Sequence, residues 1–121
     1  DQTRAFCDIR DAVEGTVLAV ESDKSNGEIF HIGSDKEISI EELIKASGDF
    51  FNFQGVYEKA TTYPGSTNRR CPKISKARDI LGFSPKIKWE DSLKETLSWY
   101  KDFFEKGEKT FEKSFEKPEN V

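Results

Sequence analysis

Four segments of this 121-residue chain place apolar residues at helical spacing, and short extended stretches separate them. A period near 3.6 residues predicts amphipathic helices, each of which buries one face. Helices interleaved with short strands indicate the α/β class, here as a small α+β lobe, and the length suits one domain or a piece of a larger one. The predicted helices cover residues 9–22, 39–47, 75–81 and 90–106.

Turn and capping residues mark where several of these elements begin and end. Ser39 and Glu42 form the sequence pattern of a capping box at the start of the second helix. Gly48 is expected to end or weaken that helix, and Gly82 is expected to end the third. We predict strands or extended segments at residues 2–9, 28–33, 55–62 and 86–89, and a loop at 63–68.

Composition and charge argue against several classes of function. Asp and Glu number 23 against 19 Lys and Arg, so the net charge is -4 and general nucleic-acid binding is not expected. No apolar run approaches the ~20 residues that a membrane span needs, and no signal-peptide pattern is seen, so a cytoplasmic location is expected. The sequence contains no Met, from which we expect processing, trimming or a fragment.

Two cysteines and one histidine leave little scope for metal or disulfide chemistry. Cys7, Cys71 and His31 do not supply the four ligands of a structural zinc site, so no metal site is expected. The cysteines lie far apart in the sequence, and we expect both to be reduced. His31 lies in a predicted strand beside apolar neighbours, where a structural role is expected rather than a place in a Ser-His-Asp triad.

Two common catalytic patterns do not occur in the sequence. The eight glycines never give the G-x-G-x-x-G or Walker spacing that cradles phosphates. The residues four positions after Tyr57, Tyr63 and Tyr100 are two threonines and a phenylalanine, so a Tyr-x-x-x-Lys acid/base pair is missing. We therefore predict no catalytic and no cofactor-binding residues within this chain.

A basic run in this acidic chain is the strongest candidate for chemistry. Five of the ten residues from Arg69 to Arg78 are Lys or Arg, where a Pro-Gly loop enters a predicted helix. Arginine forks and helix amides both match phosphate oxygens, so the run is either a phosphate site or a solvated turn. Arg4 lies in a predicted strand, where an unpaired guanidinium is costly. It needs an anion, or a salt bridge with Asp8 or Asp11.

Four segments, taken in order, resemble one family. Residues 2–15, QTRAFCDIRDAVEG, resemble the segment that follows the nucleotide-binding half of extended short-chain dehydrogenases acting on nucleotide sugars. The stretches FHIG with ISIEEL, RRCPKISKA with LGFSP, and residues 93–100 are similar to later segments of that family. The resemblance is nearest to NDP-sugar epimerases, 4,6-dehydratases and UDP-glucuronate decarboxylases.

The resemblance implies that residues 1–106 are the C-terminal, substrate-binding portion of such an enzyme, whose N-terminal Rossmann part is absent from this chain. It implies that Arg4, Arg69 and Arg70 bind the sugar-nucleotide diphosphate, while NAD is bound mainly outside this chain. It also implies that the strand at 28–33 joins the Rossmann sheet. The remaining residues, 107–121, are expected to be a charged tail, either a helical extension or disordered.

In such an enzyme, the resemblance implies oxidation of the sugar at C4 by NAD before epimerisation, dehydration or decarboxylation. Lys73 stands where the family usually has an acid, and Arg10 where it usually has a small acidic or polar residue; both bear on the substrate. The alternative is a non-catalytic, stand-alone binding or assembly module derived from this family, with a Phe-rich tail that docks a partner. An isolated copy would expose a sheet edge, which allows a homodimer.

Overall fold

The structure is a computed structural model that describes residues 2–106. It confirms the expected small α+β lobe, with helices and short strands in one unit. The tail predicted at 107–121 lies outside the described residues. The elements are β1 (Thr3–Ala5), α1 (Ile9–Glu21), a 3-10 turn (Asp23–Ser25), β2 (Glu37–Ser39), α2 (Ile40–Phe50), β3 (Arg69–Arg70), α3 (Ser75–Leu81) and α4 (Trp89–Glu105).

The three short strands form one sheet in the order β2-β1-β3. β1 runs antiparallel to β2 and parallel to β3. The register places Arg4 between Ile38 and Arg70, and it places Thr3 beside Arg69. Successive residues of a strand alternate between the two faces of a sheet. Arg4 and Arg70 therefore share one face, and Thr3 and Arg69 share the other.

The buried core is built around α3 and the residues that flank it. Ile74, Ala77, Leu81 and Phe83 form this core, and side chains from α1 and from residues 28–33 pack against it. Gly15 allows α1 to approach closely, because a Cβ at this position would lie 2.6 Å from Ile32 Cγ2 and 2.9 Å from the Phe83 ring. The glycine in the middle of α1 thus serves packing, in spite of its poor helix propensity.

A buried carboxylate ties α1 to the segment that precedes α4. Asp11 is 2% exposed, and its two carboxylate oxygens accept hydrogen bonds from the backbone N–H groups of Lys86, at 3.1 Å, and Ile87, at 3.0 Å. One turn earlier, Asp8 caps α1 by accepting from the backbone N–H of Arg10. The guanidinium of Arg10 also donates to Asp8 and holds the pKa of that carboxyl well below its usual range.

The helix predictions are confirmed in place and extent, apart from the end of α2. α1, α3 and α4 begin and end within one residue of the predicted bounds, and Gly82 ends α3 with a φ of 69°. The capping box is confirmed, because Ser39 Oγ accepts from the Glu42 N–H and the Glu42 carboxylate accepts from the Ser39 N–H. Gly48 does not end α2, which continues to Phe50, so that expectation is wrong. A Cβ at position 48 would collide with the Tyr57 hydroxyl, so this glycine permits a close contact.

The strand predicted at 55–62 is wrong, residues 28–33 form no strand within the described chain, and the other extended segments are shorter than predicted. That residues 28–33 join a Rossmann sheet outside this chain stays a prediction. Residues 28–33 and 55–62 form no ladder with any other part of the described chain, 2–106. Residues 28–33 keep a strand's alternation, since Phe30 and Ile32 pack on the core while Ile29 is 82% exposed, but no strand of residues 2–106 pairs with them. Residues 51–70 are exposed throughout, and Tyr57 contacts the end of α2 and the Phe53 ring, so within the described chain 55–62 have no sheet or core face to pack against. The first strand covers only Thr3–Ala5, and α4 already begins at Trp89.

We predict that Asp11→Ala strongly destabilises the protein. The substitution leaves the backbone N–H groups of Lys86 and Ile87 without their acceptor, and hydrogen bonds to a charged group contribute about 1.5–3 kcal/mol each, so a loss of roughly 3 kcal/mol is expected. Urea unfolding measures it, with Glu14→Gln, which removes only the exposed pair with Lys86, as the control. A loss for Asp11→Ala no larger than that of the control would contradict the role given to this carboxylate.

Cys7 and Cys71 are both free thiols. Burial is the main cause that raises the pKa of each, with Asp11 and Asp8 adding to the effect at Cys7 and Glu37 adding to it at Cys71. We therefore expect slow alkylation of the folded protein at neutral pH, and faster alkylation as the pH rises and thiolate forms. Mass spectrometry after unfolding without reductant should show two alkylated thiols. A species two mass units lighter that takes up no alkyl group would indicate a disulfide instead.

Candidate functional site: an arginine pair on one face of the sheet

Arg4 is held by backbone carbonyls. Its guanidinium donates to the carbonyl oxygens of Thr3 at 2.7 Å, Thr67 at 2.9 Å and Asn68 at 3.3 Å. The predicted alternative of a salt bridge with Asp8 or Asp11 is wrong, because Asp8 pairs with Arg10 and Asp11 accepts from backbone amides. Neutral carbonyls orient the guanidinium without cancelling its charge, so Arg4 remains a cation that can attract an anion.

Arg70 lies directly beside Arg4 in the register of β1 and β3, on the same face of the sheet. Arg70 is exposed to solvent. Among residues 2–106 no hydrogen bond or ion pair is formed by its side chain. The five donors of this guanidinium are therefore available to a ligand from solution.

Arg69 occupies the opposite face and has a partner. Its Nε donates to Glu37 Oε2 at 3.0 Å, and its Nη2 forms an ion pair with the same oxygen. Glu37 Oε1 also accepts from Thr3 Oγ1 at 2.7 Å, and the Thr3 and Arg69 hydrogen bonds hold the pKa of Glu37 below its usual range. Arg69 is therefore exposed but paired, and its guanidinium is partly neutralised by Glu37.

The rest of the basic run divides in the same way. Lys76 forms an ion pair with Glu28, at 2.5 Å, and Arg78 forms one with Asp35, at 2.9 Å. Lys73 is exposed and, like Arg70, forms no hydrogen bond or ion pair within the part of the chain that the structure describes. Three of the five basic side chains are thus neutralised locally, and two are not.

The remaining candidate residues supply no catalytic group. His31 is exposed in the unpaired segment 28–33, so the structural role expected for it is wrong. Within residues 2–106 no group of three or more His, Cys, Asp or Glu side chains is placed to hold a metal ion. No helix in this range is long and apolar enough to span a membrane.

Two clefts in the described part of the chain have no arginine in their lining. One, of about 280 Å³, lies between α2 and α4 and is lined by Ala46 and Leu97 among others. The other, of about 360 Å³, borders β2 and the start of α4, with Phe6 and Trp89 in its walls. The second cleft is also lined by Glu37, the partner of Arg69, and by Ile38, the neighbour of Arg4 in the sheet, so it borders the arginines without including one.

The relatives found by comparison with known proteins are named as enzymes that act on nucleotide sugars. The chain is 36% identical over 110 residues to a UDP-N-acetyl-alpha-D-glucosaminuronate decarboxylase of Bacillus cytotoxicus, which covers 84% of this chain and 33% of that protein. It is 34% identical over 92 residues to UDP-glucuronic acid decarboxylase 6 of Arabidopsis thaliana, covering 76% of this chain and 26% of that protein. It is 31% identical over 121 residues to the human dTDP-D-glucose 4,6-dehydratase, covering 95% and 34%. No family model matches the chain.

Solved structures agree with these relatives. The UDP-glucuronic acid 4-epimerase of Bacillus cereus, in complex with UDP-glucuronic acid and NAD, matches with a TM-score of 0.77 and 30% identity, over 84% of this chain and 33% of that one. The epimerase Mth375 of Methanothermobacter thermautotrophicus shares the fold, with a TM-score of 0.78 at 23% identity over 86% of this chain and 31% of that one.

The chain spans about a third of the length of these relatives. The motif resemblance is confirmed by both kinds of comparison, over most of the described residues. The matched third is consistent with the C-terminal portion of these enzymes. By sequence and fold, this chain belongs to the extended short-chain dehydrogenase family of nucleotide-sugar epimerases, dehydratases and decarboxylases.

Proposed function

We propose that this chain binds the diphosphate of a nucleotide sugar through Arg4 and Arg70, as the substrate-binding portion of an NAD-dependent epimerase, dehydratase or decarboxylase. The observation that carries the proposal is that these two arginines lie side by side in adjacent strands, on the same face of the sheet. Arg69 was predicted for the same role, but its guanidinium is bound to Glu37 on the opposite face. In this proposal it does not contact the diphosphate and contributes only by its place in the sheet.

The two arginines differ in a way that suits a ligand with two adjacent phosphates. Arg4 is already oriented by three carbonyl oxygens, so little side-chain freedom remains to be lost when an anion binds. Arg70 is unpaired within residues 2–106 and presents a planar fork that matches two phosphate oxygens. The pair supplies two positive charges to a group that carries at least two negative ones.

The names of the relatives support a nucleotide sugar as the ligand. The two decarboxylases and the dehydratase are named for UDP- and dTDP-sugars, and the Bacillus cereus epimerase was crystallised with UDP-glucuronic acid and NAD. The residues of this chain do not themselves fit a nicotinamide cofactor, since the sequence has neither a glycine cradle nor a Tyr-x-x-x-Lys pair. In this proposal NAD is held by residues outside this chain.

We predict that Arg70→Lys weakens UDP binding about fivefold, because lysine keeps the charge and loses the fork. Arg4→Lys should weaken binding as well, and it should also lower the melting temperature because the carbonyls of Thr67 and Asn68 lose their donor. Isothermal titration with UDP and UDP-glucuronic acid, beside thermal melts, measures both effects.

Arg78→Lys is the matched control for this titration. It makes the same exchange in the same basic run, at an exposed arginine that is paired with Asp35. We expect it to leave UDP binding unchanged. The arginine pair is not a phosphate site if Arg4→Lys and Arg70→Lys bind UDP like the unaltered protein, or if the control weakens binding as much as they do.

We also predict that the 121-residue chain alone does not convert nucleotide sugars. It lacks the residues that bind NAD and transfer protons in such reactions. Incubation with NAD and UDP-, dTDP- and GDP-sugars, followed by chromatography, tests this, and reproducible turnover would contradict it. An inert chain also fits the alternative of a stand-alone binding module. The gene sequence around this segment distinguishes the two alternatives. An upstream reading frame with a glycine cradle and Tyr-x-x-x-Lys indicates the enzyme, and a start codon just before Asp1 indicates the module.

A further inference from the structure

β3 is a weak element on which the candidate site depends. It contains only Arg69 and Arg70, both exposed, and it follows a long exposed segment, residues 51–68. On one side it is held by the ladder with β1 and by the hydrogen bond from Thr3 N–H to Asn68 O at 2.9 Å. A shift of one residue in this register would carry Arg70 to the opposite face and away from Arg4.

Glu37 is placed to prevent such a shift. Its carboxylate, on β2, accepts from Thr3 Oγ1 on the central strand and from the Arg69 guanidinium on β3, so one side chain links all three strands. Its side chain is 24% exposed, which is less than the 43% of Glu14 in the pair with Lys86. The pKa of Glu37 is lowered by the same two partners, so the group is ionised at neutral pH.

We propose that Glu37 is a positioning residue that fixes the register of β3 through Arg69, and thereby holds Arg70 beside Arg4 for the ligand diphosphate. The inference rests on the function proposed above. It also assigns a purpose to Arg69, which acts on the ligand through the sheet rather than by direct contact.

The direction in which Glu37→Gln changes UDP affinity separates this role from simple electrostatics. If Glu37 were only a negative charge near the site, Glu37→Gln would strengthen the binding of an anion such as UDP, because a repulsion is removed. If Glu37 positions β3, Glu37→Gln weakens binding, because the neutral amide holds Arg69 less firmly. We expect UDP binding to weaken about fivefold.

The experiment titrates UDP into the unaltered protein, Glu37→Gln, Arg69→Gln and the double variant. Since Glu37 acts through Arg69, the double variant should bind UDP no more weakly than Arg69→Gln alone. Glu14→Gln, which breaks an ion pair between other elements, should leave binding unchanged while lowering the melting temperature by a similar small amount. Tighter or unchanged binding by Glu37→Gln, or additive losses in the double variant, overturns the proposal.

A readout without ligand keeps this inference separate from the proposed function. Amide hydrogen exchange of Thr3, whose N–H donates to Asn68, reports the pairing of β1 with β3, and exchange of Phe83, whose N–H donates to Ala77, reports the core. Glu37→Gln should speed exchange at Thr3 about fivefold and leave Phe83 unchanged. Equal acceleration at both overturns the positioning role. Absence of UDP binding by the unaltered protein overturns the proposed function alone.

Discussion

The parallel pairing of β1 with β3 is the interaction on which the candidate site depends. It brings residues 3–4 next to residues 69–70, although most of the chain lies between them. A parallel pair of this length has few ladder hydrogen bonds, and its slanted bonds are slightly weaker than antiparallel ones. Side chains therefore carry part of the pairing. Arg4 binds the carbonyls at the entrance of β3 on one face, and Glu37 binds Arg69 on the other.

The accuracy of the sequence predictions follows the range of the interactions that form each element. The helices depend on local periodicity and caps, such as Ser39 and Gly82, and they were predicted almost to the residue. β2 and β3 have three and two residues, too few for an alternating pattern, and they exist only because β1 lies between them. The prediction of a strand at 28–33 is not met within this chain for the converse reason. These residues have the alternation of a strand but no neighbouring strand among residues 2–106.

The same reasoning explains what could be predicted of the site. Charge and flanking residues identified the basic run, and the family resemblance named Arg4, Arg69 and Arg70 together. Arg69 and Arg70 are adjacent and chemically identical, and the sequence favours Arg70 for the phosphate only because it lies closer to the predicted helix. Only the alternation of a strand and the position of Glu37 across the sheet place one in an ion pair and leave the other beside Arg4. Glu37, two residues before a predicted helix, gave no signal of that partnership.

Some of the basic side chains of this acidic chain are paired with carboxylates and others are not, which leaves a local group of positive charges. The net charge is -4, and carboxylates neutralise Arg69, Lys76 and Arg78 one by one. Arg4 is satisfied instead by uncharged carbonyls, so its positive charge is retained, while Arg70 and Lys73 have no partner within the described residues. Lys73, where the resembling family usually has an acid, is a third positive charge without a carboxylate partner among residues 2–106. Because exposed charges a Debye length away are screened, the field near these side chains depends on their neighbours more than on the net charge, and uncompensated cations are what the proposed diphosphate site requires.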